Sequence, residues 1–324
     1  MNKKNIVISK KKNMKKKIRK FALIGAAGFI APKHMAAIKH NKAQLTLALD
    51  PNDSVGVIDR YFPNSFFFTK KNQFIKKLKK VDYLSICSPN YLHYQHVKMG
   101  LKNNLNIICE KPLVLNKKQI INLEKLEKKG KKKIYVIMQL RYHKPFLNLK
   151  KKLKKNKTKN KVEVTYIASR GNWYQTSWKG INKKSGGIIS NIGVHIFDIL
   201  VWLFGKLIKS EVHILKNDVA SGKLFFQNTE VKWFLSTNNK YLPDEYIKKN
   251  IPSLRSMIFN NKKIEFSKGI ASLHDNCYKD FLRNKGYGLK DFKKCLELIT
   301  QIKKSKIKLS SQNHHPYLSK IIND

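Results

Sequence analysis

Gly25-Ala-Ala27-Gly28-Phe29-Ile30-Ala31 follows directly on the apolar stretch Phe21 to Ile24. A small-residue turn between a buried strand and a helix lets backbone approach a pyrophosphate, and the helix N-terminus then offers free N–H groups to that charge. The usual spacing is GxGxxG/A. Here it is GxxGxxA, one residue longer in the first turn. Asp50 stands 22 residues beyond Gly28, at the end of the next apolar stretch. A carboxylate there accepts hydrogen bonds from adenosine ribose hydroxyls and repels a 2′-phosphate, which points to NAD rather than NADP. A bare tight turn, or an Asp that caps a turn, would look the same taken singly. Strand, glycine turn, helix, strand and Asp in that order is more specific.

His195 opens the run His195-Ile-Phe-Asp198 after a glycine-rich turn. An imidazole titrates near neutral pH and suits a general base; a histidine that merely packs the turn is the plainer alternative. Arg170 and Arg255 stand out because only six of the 68 basic residues are Arg. The planar guanidinium fork fits phosphate and carboxylate, so a chain that otherwise uses Lys keeps Arg where the fork matters. Arg141 belongs to the same group. An ordinary salt bridge is the competing expectation for each.

These residues need elements to hold them. Apolar runs at Phe21–Gly25, Gln44–Leu49, Val81–Cys87, Leu105–Cys109 and Ile134–Leu140 read as buried parallel strands. Helical spacing falls between them at Pro32–His40, His93–Lys102 and Asn116–Lys129, with Asn116 as an N-cap. This alternation predicts a doubly wound sheet over residues 18–141. The rhythm then changes. Lys161–Arg170, Leu207–Leu215, Lys223–Phe226, Val231–Thr237, Leu254–Phe259 and Lys262–Phe266 are strand-like and follow each other with turns such as Asn260-Asn261, without intervening helices. They predict an α+β domain over 142–308 with a large, mostly antiparallel sheet, closed by helices at His274–Leu282 and Leu289–Lys304. The fold class is therefore α/β with two domains. Residues 1–17 hold eight Lys and no acid and read as a disordered basic tail, with Met14 as an alternative start. Residues 309–324 read as a weakly patterned C-terminal tail, and 150–161 as a solvated lysine-rich face.

The 68 Lys and Arg against 20 Asp and Glu give a net charge of +48, while the charged total of 27% is ordinary. Such an excess suggests nucleic acid or an anionic membrane as partner. The scarcity of Arg and the even spread of Lys argue against both, and favour a coding bias toward Lys at exposed positions. The field would still steer a polyanionic substrate. The stretches Phe21 to Pro32 and Ile192 to Gly205 fall short of the roughly 18 apolar residues of a membrane span. The basic N-terminus lacks the apolar core of a secretory signal. Cys87, Cys109, Cys277 and Cys295 show no CxxC spacing. Reduced structural cysteines, a cytoplasmic setting and no metal are the expectations.

Two further motifs carry a resemblance. Cys87-Ser88-Pro89-Asn90-Tyr-Leu-His93 and Cys109-Glu110-Lys111-Pro112-Leu113 resemble the TPNxxH and EKP patterns of the Gfo/Idh/MocA oxidoreductases. The likeness runs from about Ile18 to Lys304, through Arg141-Tyr-His-Lys-Pro145 and Gly186-Gly-Ile-Ile-Ser-Asn191-Ile-Gly-Val-His195. The segments IGAAGFIAPKHM (24–35), DPNDSVGVID (50–59), SRGNWY (169–174) and SWKG (177–180) are most similar to one branch. That branch oxidises the C3 hydroxyl of UDP-N-acetylglucosaminuronic acid in lipopolysaccharide O-antigen synthesis.

The resemblance implies a Rossmann domain, a C-terminal open-faced α/β domain and a homotetramer. It also implies NAD as cofactor, with 2-oxoglutarate as the reoxidant in some members. It assigns acid–base work to Lys111 and His195. It brings Gly25, Ala27, Gly28, Phe29, Ile30, Asp50, Ser88, Pro89, Asn90, His93, Glu110, Lys111 and Gln139 to the cofactor. Arg141, Arg170, Trp173, Tyr174, Lys179, Asn191, His195, Arg255 and His274 go to the substrate, with Trp173 and Tyr174 stacking on uracil or closing the pocket. Many family members carry Asp where Asn191 stands, so a Lys–Asp–His triad gives way to a Lys111/His195 pair. Another sugar or inositol as substrate, within the same family, is the alternative.

Overall fold

Six short apolar stretches pair as a parallel sheet in the first half of the chain: β1 (Lys20–Ile24), β2 (Gln44–Leu49), β3 (Phe66–Phe68), β4 (Tyr83–Ile86), β5 (Asn106–Cys109) and β6 (Ile134–Val136). Their order is β3-β2-β1-β4-β5-β6, with every pairing parallel. This is the doubly wound order that reverses direction beside β1 and opens a crevice at the strand ends. The structure is a computed structural model and describes residues 17–154, 158–267, 269–270, 272–308 and 313–322. The expected basic tail lies, Lys17 apart, outside the described residues.

Local chemistry sets the boundaries. Asn116 caps the helix Lys117–Lys129, its side-chain oxygen accepting the Gln119 N–H at 3.0 Å. Pro32 sits in the first turn of the helix Ala31–His40, where its missing N–H costs nothing. The edge strand β3 was not anticipated, because three residues are too few to show a period. The run Ile134–Leu140 stays extended only to Val136, and Gln139–Tyr142 coil into a 3₁₀ turn.

The second sheet contains β7 (Asn160–Ala168), β8 (Leu207–Leu215), β9 (Val219–Phe226), β10 (Thr229–Ser236), β11 (Ser253–Phe259) and β12 (Lys262–Glu265). Its order is β12-β11-β7-β10-β9-β8, and only the β7–β10 pair is parallel. The β11–β12 hairpin turns on Asn260 and Asn261, both at positive φ, the conformation that a tight hairpin demands and Asn tolerates. Val162, Val164 and Tyr166 of β7 and Val231, Trp233 and Leu235 of β10 alternate onto one face. That face packs against the helices Val194–Phe204 and Leu289–Lys304, and the same core reaches Ala22 and Leu84 in the first sheet. Val194–Phe204, one of the helices that interrupt the expected unbroken succession of strands between β7 and β8, is apolar save for His195 and Asp198 and is largely buried. No single helix among the described residues is long and apolar enough to cross a membrane.

The C-terminal helices return to the first sheet. Cys277, Tyr278 and Phe281 of the helix Leu273–Phe281 join Phe21, Leu23, Tyr83 and Ile108 in one cluster. The lysine-rich segment after Pro145 begins as the helix Lys144–Leu153, which buries Phe146 and Leu149 and exposes Lys144, Lys151 and Lys152; Lys150, expected on a solvated face, is instead half-buried and donates to the Trp202 and Leu203 carbonyls that end the helix Val194–Phe204. Residues 155–157 lie outside the description. The weakly patterned C-terminus holds a helix, Pro316–Ile322, whose Tyr317 and Ile321 pack on the second sheet's other side, with Leu318 fully buried.

Candidate active site

The crevice beside β1 is where the glycine turn lies. Gly25 has φ +87°, and a Cβ there would stand 2.6 Å from the backbone of Cys87 and Ser88. The loops after β1 and β4 therefore touch through a residue that must be glycine. Gly28 N–H closes the turn on the Gly25 carbonyl at 3.0 Å. Asp50 is buried at the end of β2 and accepts the Ala27 N–H at 3.0 Å and the Asn52 N–H at 2.9 Å. Each carboxylate oxygen keeps a further lone pair, so Asp50 fixes the turn and can still receive ribose hydroxyls. Phe29 is 88% exposed on the rim. Ser88, Pro89 and Asn90 follow β4 on the same crest. The glycine turn closed against the loop after β4 and the carboxylate at its edge fit an NAD dinucleotide.

Glu110, Lys111 and a cis Pro112 follow β5. Lys111, Gln139, His195 and Asp198 line one cavity, with Met138 and Phe292 as apolar walls. His195 is delivered by the first turn of the helix Val194–Phe204. Its ring stacks on Tyr166, centroids 5.9 Å apart and nearly parallel, and the Arg255 guanidinium lies 5.2 Å from the centre of the Tyr166 ring. Burial, then the nearby Lys111 and Arg255 cations, hold His195 well below the ordinary imidazole pKa. Burial also lowers Lys111; Glu110 draws it back up, while Arg170, Arg255 and Lys179 press it down. The cavity thus holds a neutral imidazole and an amine that parts with its proton more readily than a free lysine.

The residues expected at the substrate fall into two groups. Asn90 donates to the Ser185 carbonyl at 2.9 Å and to Asn191 Oδ1 at 3.1 Å, and Asn191 donates to the Tyr174 hydroxyl at 2.6 Å. This chain ties the crest of the first sheet to the segment before His195. Trp173 is half exposed with Lys179 4.7 Å from its ring centre, and burial followed by Arg170 lowers the Lys179 amine. Arg170 is exposed and spends one N–H on the Ser169 carbonyl. Arg255 has a buried Nε with no hydrogen-bond partner among the described residues.

Four expectations need correction. Arg141 is 2% exposed and pairs bidentately with Asp198, at 3.0 and 2.7 Å, and with Asp291 at 3.1 Å, over the Tyr287 ring. A guanidinium so occupied braces the cavity wall rather than reaching for substrate. His274 is also buried, its Nε2 donating to Glu110 Oε1 at 3.0 Å, away from the substrate side. His93 has Nδ1 2.8 Å from the Pro112 carbonyl and Nε2 2.7 Å from that of Ser88; its neutral ring donates to one of the two, so it is engaged with the crest loops rather than turned to the crevice. The Glu110 side chain points down to His34 and His274, both at 3.0 Å, and only its backbone borders the crevice.

His34, Tyr166 and Tyr278 were not singled out from sequence. His34 carried a signal: it shares the spacing of Ala31, Met35 and Ile38 on the buried face of its helix. His34, Glu110 and His274 place ligand-type atoms within 4.8 Å of one another. Hydrogen bonds from both rings to one carboxylate oxygen account for that grouping.

Comparison with known proteins follows these lines. Residues 19–138 match the oxidoreductase family with NAD-binding Rossmann fold (Gfo/Idh/MocA), and residues 150–254 match that family's C-terminal alpha/beta domain. The crystal structure of the WlbA (WbpB) dehydrogenase from Thermus thermophilus with NAD and alpha-ketoglutarate superposes with TM-score 0.89 at 38% identity, covering 93% of this chain and 100% of that one. The same enzyme with NAD and UDP-GlcNAcA superposes with TM-score 0.88 at 38% identity and the same coverage. Among curated relatives, the D-glucoside 3-dehydrogenase of Escherichia coli is 26% identical over 133 residues, 39% of this chain and 36% of that protein. The chain spans about half the length, or less, of the curated relatives it matches first.

Proposed function

The chain belongs to the Gfo/Idh/MocA oxidoreductase family, and from that membership we propose that it oxidises the C3 hydroxyl of UDP-N-acetylglucosaminuronic acid to a ketone, using NAD. The observation that carries the reading is the meeting of Lys111 and His195 on one cavity at the strand ends, in a chain 38% identical over its length to an enzyme crystallised with UDP-GlcNAcA.

Oxidation of a secondary alcohol needs a group to take the hydroxyl proton and a fixed face for hydride transfer. NAD, held by the Gly25–Gly28 turn and Asp50, supplies the hydride acceptor. Lys111 and His195 hold the hydroxyl between them. The neutral imidazole accepts the proton, and the lowered amine of Lys111 steadies the developing alkoxide and relays charge. Asn191, fixed by Asn90 and Tyr174, orients the sugar. Arg170, Arg255 and Lys179 bring positive charge to the same side, which suits a diphosphate and a C6 carboxylate. Trp173 offers a ring to the base. Alpha-ketoglutarate is the matching candidate for returning the cofactor to its oxidised form. A cytoplasmic homotetramer completes the proposal.

The test is direct. Purified protein is incubated with NAD and UDP-N-acetylglucosaminuronic acid, and NADH absorbance and the 3-keto product are followed. A folded, NAD-binding protein that forms neither would overturn the reading. Turnover of a free glucoside or an inositol in place of the nucleotide sugar would move the assignment to another branch of the family.

A further inference from the structure

Glu110 is almost wholly buried, yet it carries a carboxylate. Its Oε1 accepts the Nε2–H of His34 and of His274, each at 3.0 Å, and its Oε2 accepts the Lys111 backbone N–H at 3.2 Å. His34 comes from the helix after β1 and His274 from the helix Leu273–Phe281, so two separate parts of the chain close on one oxygen. Behind His34, the Tyr278 hydroxyl lies 2.7 Å from Nδ1 and 2.7 Å from the Ser85 hydroxyl. Among the described residues His274 Nδ1 is buried with no partner, and the bond to Glu110 is the one hydrogen bond this ring makes to them. A carboxylate can only accept, which fixes both Nε2 atoms as donors.

We propose that Glu110, clamped by His34 and His274, is the positioning residue for Lys111: it pins the lysine backbone and supplies the buried negative charge that offsets the cations around the amine.

Burial alone would push the Glu110 carboxyl up, but the donated hydrogen bonds bring it well below the ordinary range. Burial likewise keeps His34 uncharged and holds the thiols of Cys87, Cys109 and Cys277 and the Tyr278 phenol protonated. The carboxylate facing Lys111 from this side is that of Glu110, with the His274 ring bonded to it. From the other side come Arg170, Arg255, Lys179 and the ring of His195. Without Glu110 three cations act on the amine unopposed. With it, the amine keeps a proton to share.

The inference rests on Lys111 as the working amine, not on the identity of the sugar, and its test uses no sugar. Intact protein is pulse-labelled with acetic anhydride across a pH series, and Lys111 acetylation is read by peptide mass spectrometry. Glu110→Gln should move the Lys111 curve to lower pH by about one unit, the size a close opposite charge commands. His274→Leu should move it the same way by less, and His274→Gln, which restores a donor, should return it toward wild type. If Glu110→Gln does not fold, as read by lost NAD binding, the Leu and Gln variants at 274 decide the matter. Curves that coincide with wild type in the folded variants, or that move to higher pH, overturn the proposal. So does a stoichiometric divalent metal in the purified protein, because the three side chains would then be ligands. Loss of sugar oxidation with an intact labelling shift would sink the substrate reading alone.

Discussion

The ring of His195 lies parallel to that of Tyr166, 5.9 Å away and tilted by only 5°. The two come from a helix and from β7, elements whose residues are far apart in the chain. The stack fixes the imidazole plane where the cavity wall meets Lys111, and the Arg255 cation beside Tyr166 disfavours a second positive charge there. The geometry thus selects an uncharged His195, the form able to accept a proton.

Lys111→Met and His195→Asn should each lower kcat by roughly 10²- to 10⁴-fold, the range for a lost acid–base group. NAD affinity, followed by fluorescence titration, should stay within a few-fold of wild type. A large loss of NAD binding with little further loss of turnover would point to a cofactor role instead.

Gly25→Ala should abolish dinucleotide binding, because the new Cβ would lie 2.6 Å from the backbone of Cys87 and Ser88. Gly56→Ala is the contrasting change. Nothing lies within 4 Å of its Cβ position and its φ is −51°, so the gain from a stiffer unfolded chain, about 0.4–1 kcal/mol, should appear as a slightly higher Tm.

Arg141→Met should act on stability rather than on specificity. It leaves Asp198 buried without its counter-charge, a loss of about 3–5 kcal/mol in chemical denaturation. If the soluble variant kept its midpoint and lost only substrate affinity, the bracing role would be wrong.

Acid should destabilise the fold before its carboxylates titrate. Burial lowers His34 and His195, and takes His96 down to about 4 and His315 to about 3. Each ring binds its proton near pH 6.5 when unfolded but resists it when folded, so the unfolded chain takes up more protons as pH falls. Stability is full above about pH 6.5 and declines below it, by a few kcal/mol from His96 alone at pH 4. Melting curves from pH 8 to pH 4.5 check the sign. A Tm that rises on acidification contradicts it.

The sequence by itself carried the parallel sheet, the antiparallel sheet and the dinucleotide turn. These rest on local rules: apolar strands, capped helices, a glycine turn and an Asp at fixed spacing. It also singled out Lys111 and His195, through motifs in which neighbours in sequence stay neighbours in space. What a buried polar group is paired with is not a local property. Arg141, His93, His274 and Glu110 each looked like a ligand-binding residue, and each spends its hydrogen bonds on groups that arrive from elsewhere in the chain. Asp291 reaches Arg141 from 150 positions away, and Glu110 meets His274 across 164. Tertiary packing alone decided which charges face the cavity and which hold it in shape, because desolvation drives most buried polar groups to find a partner and sequence spacing does not say which.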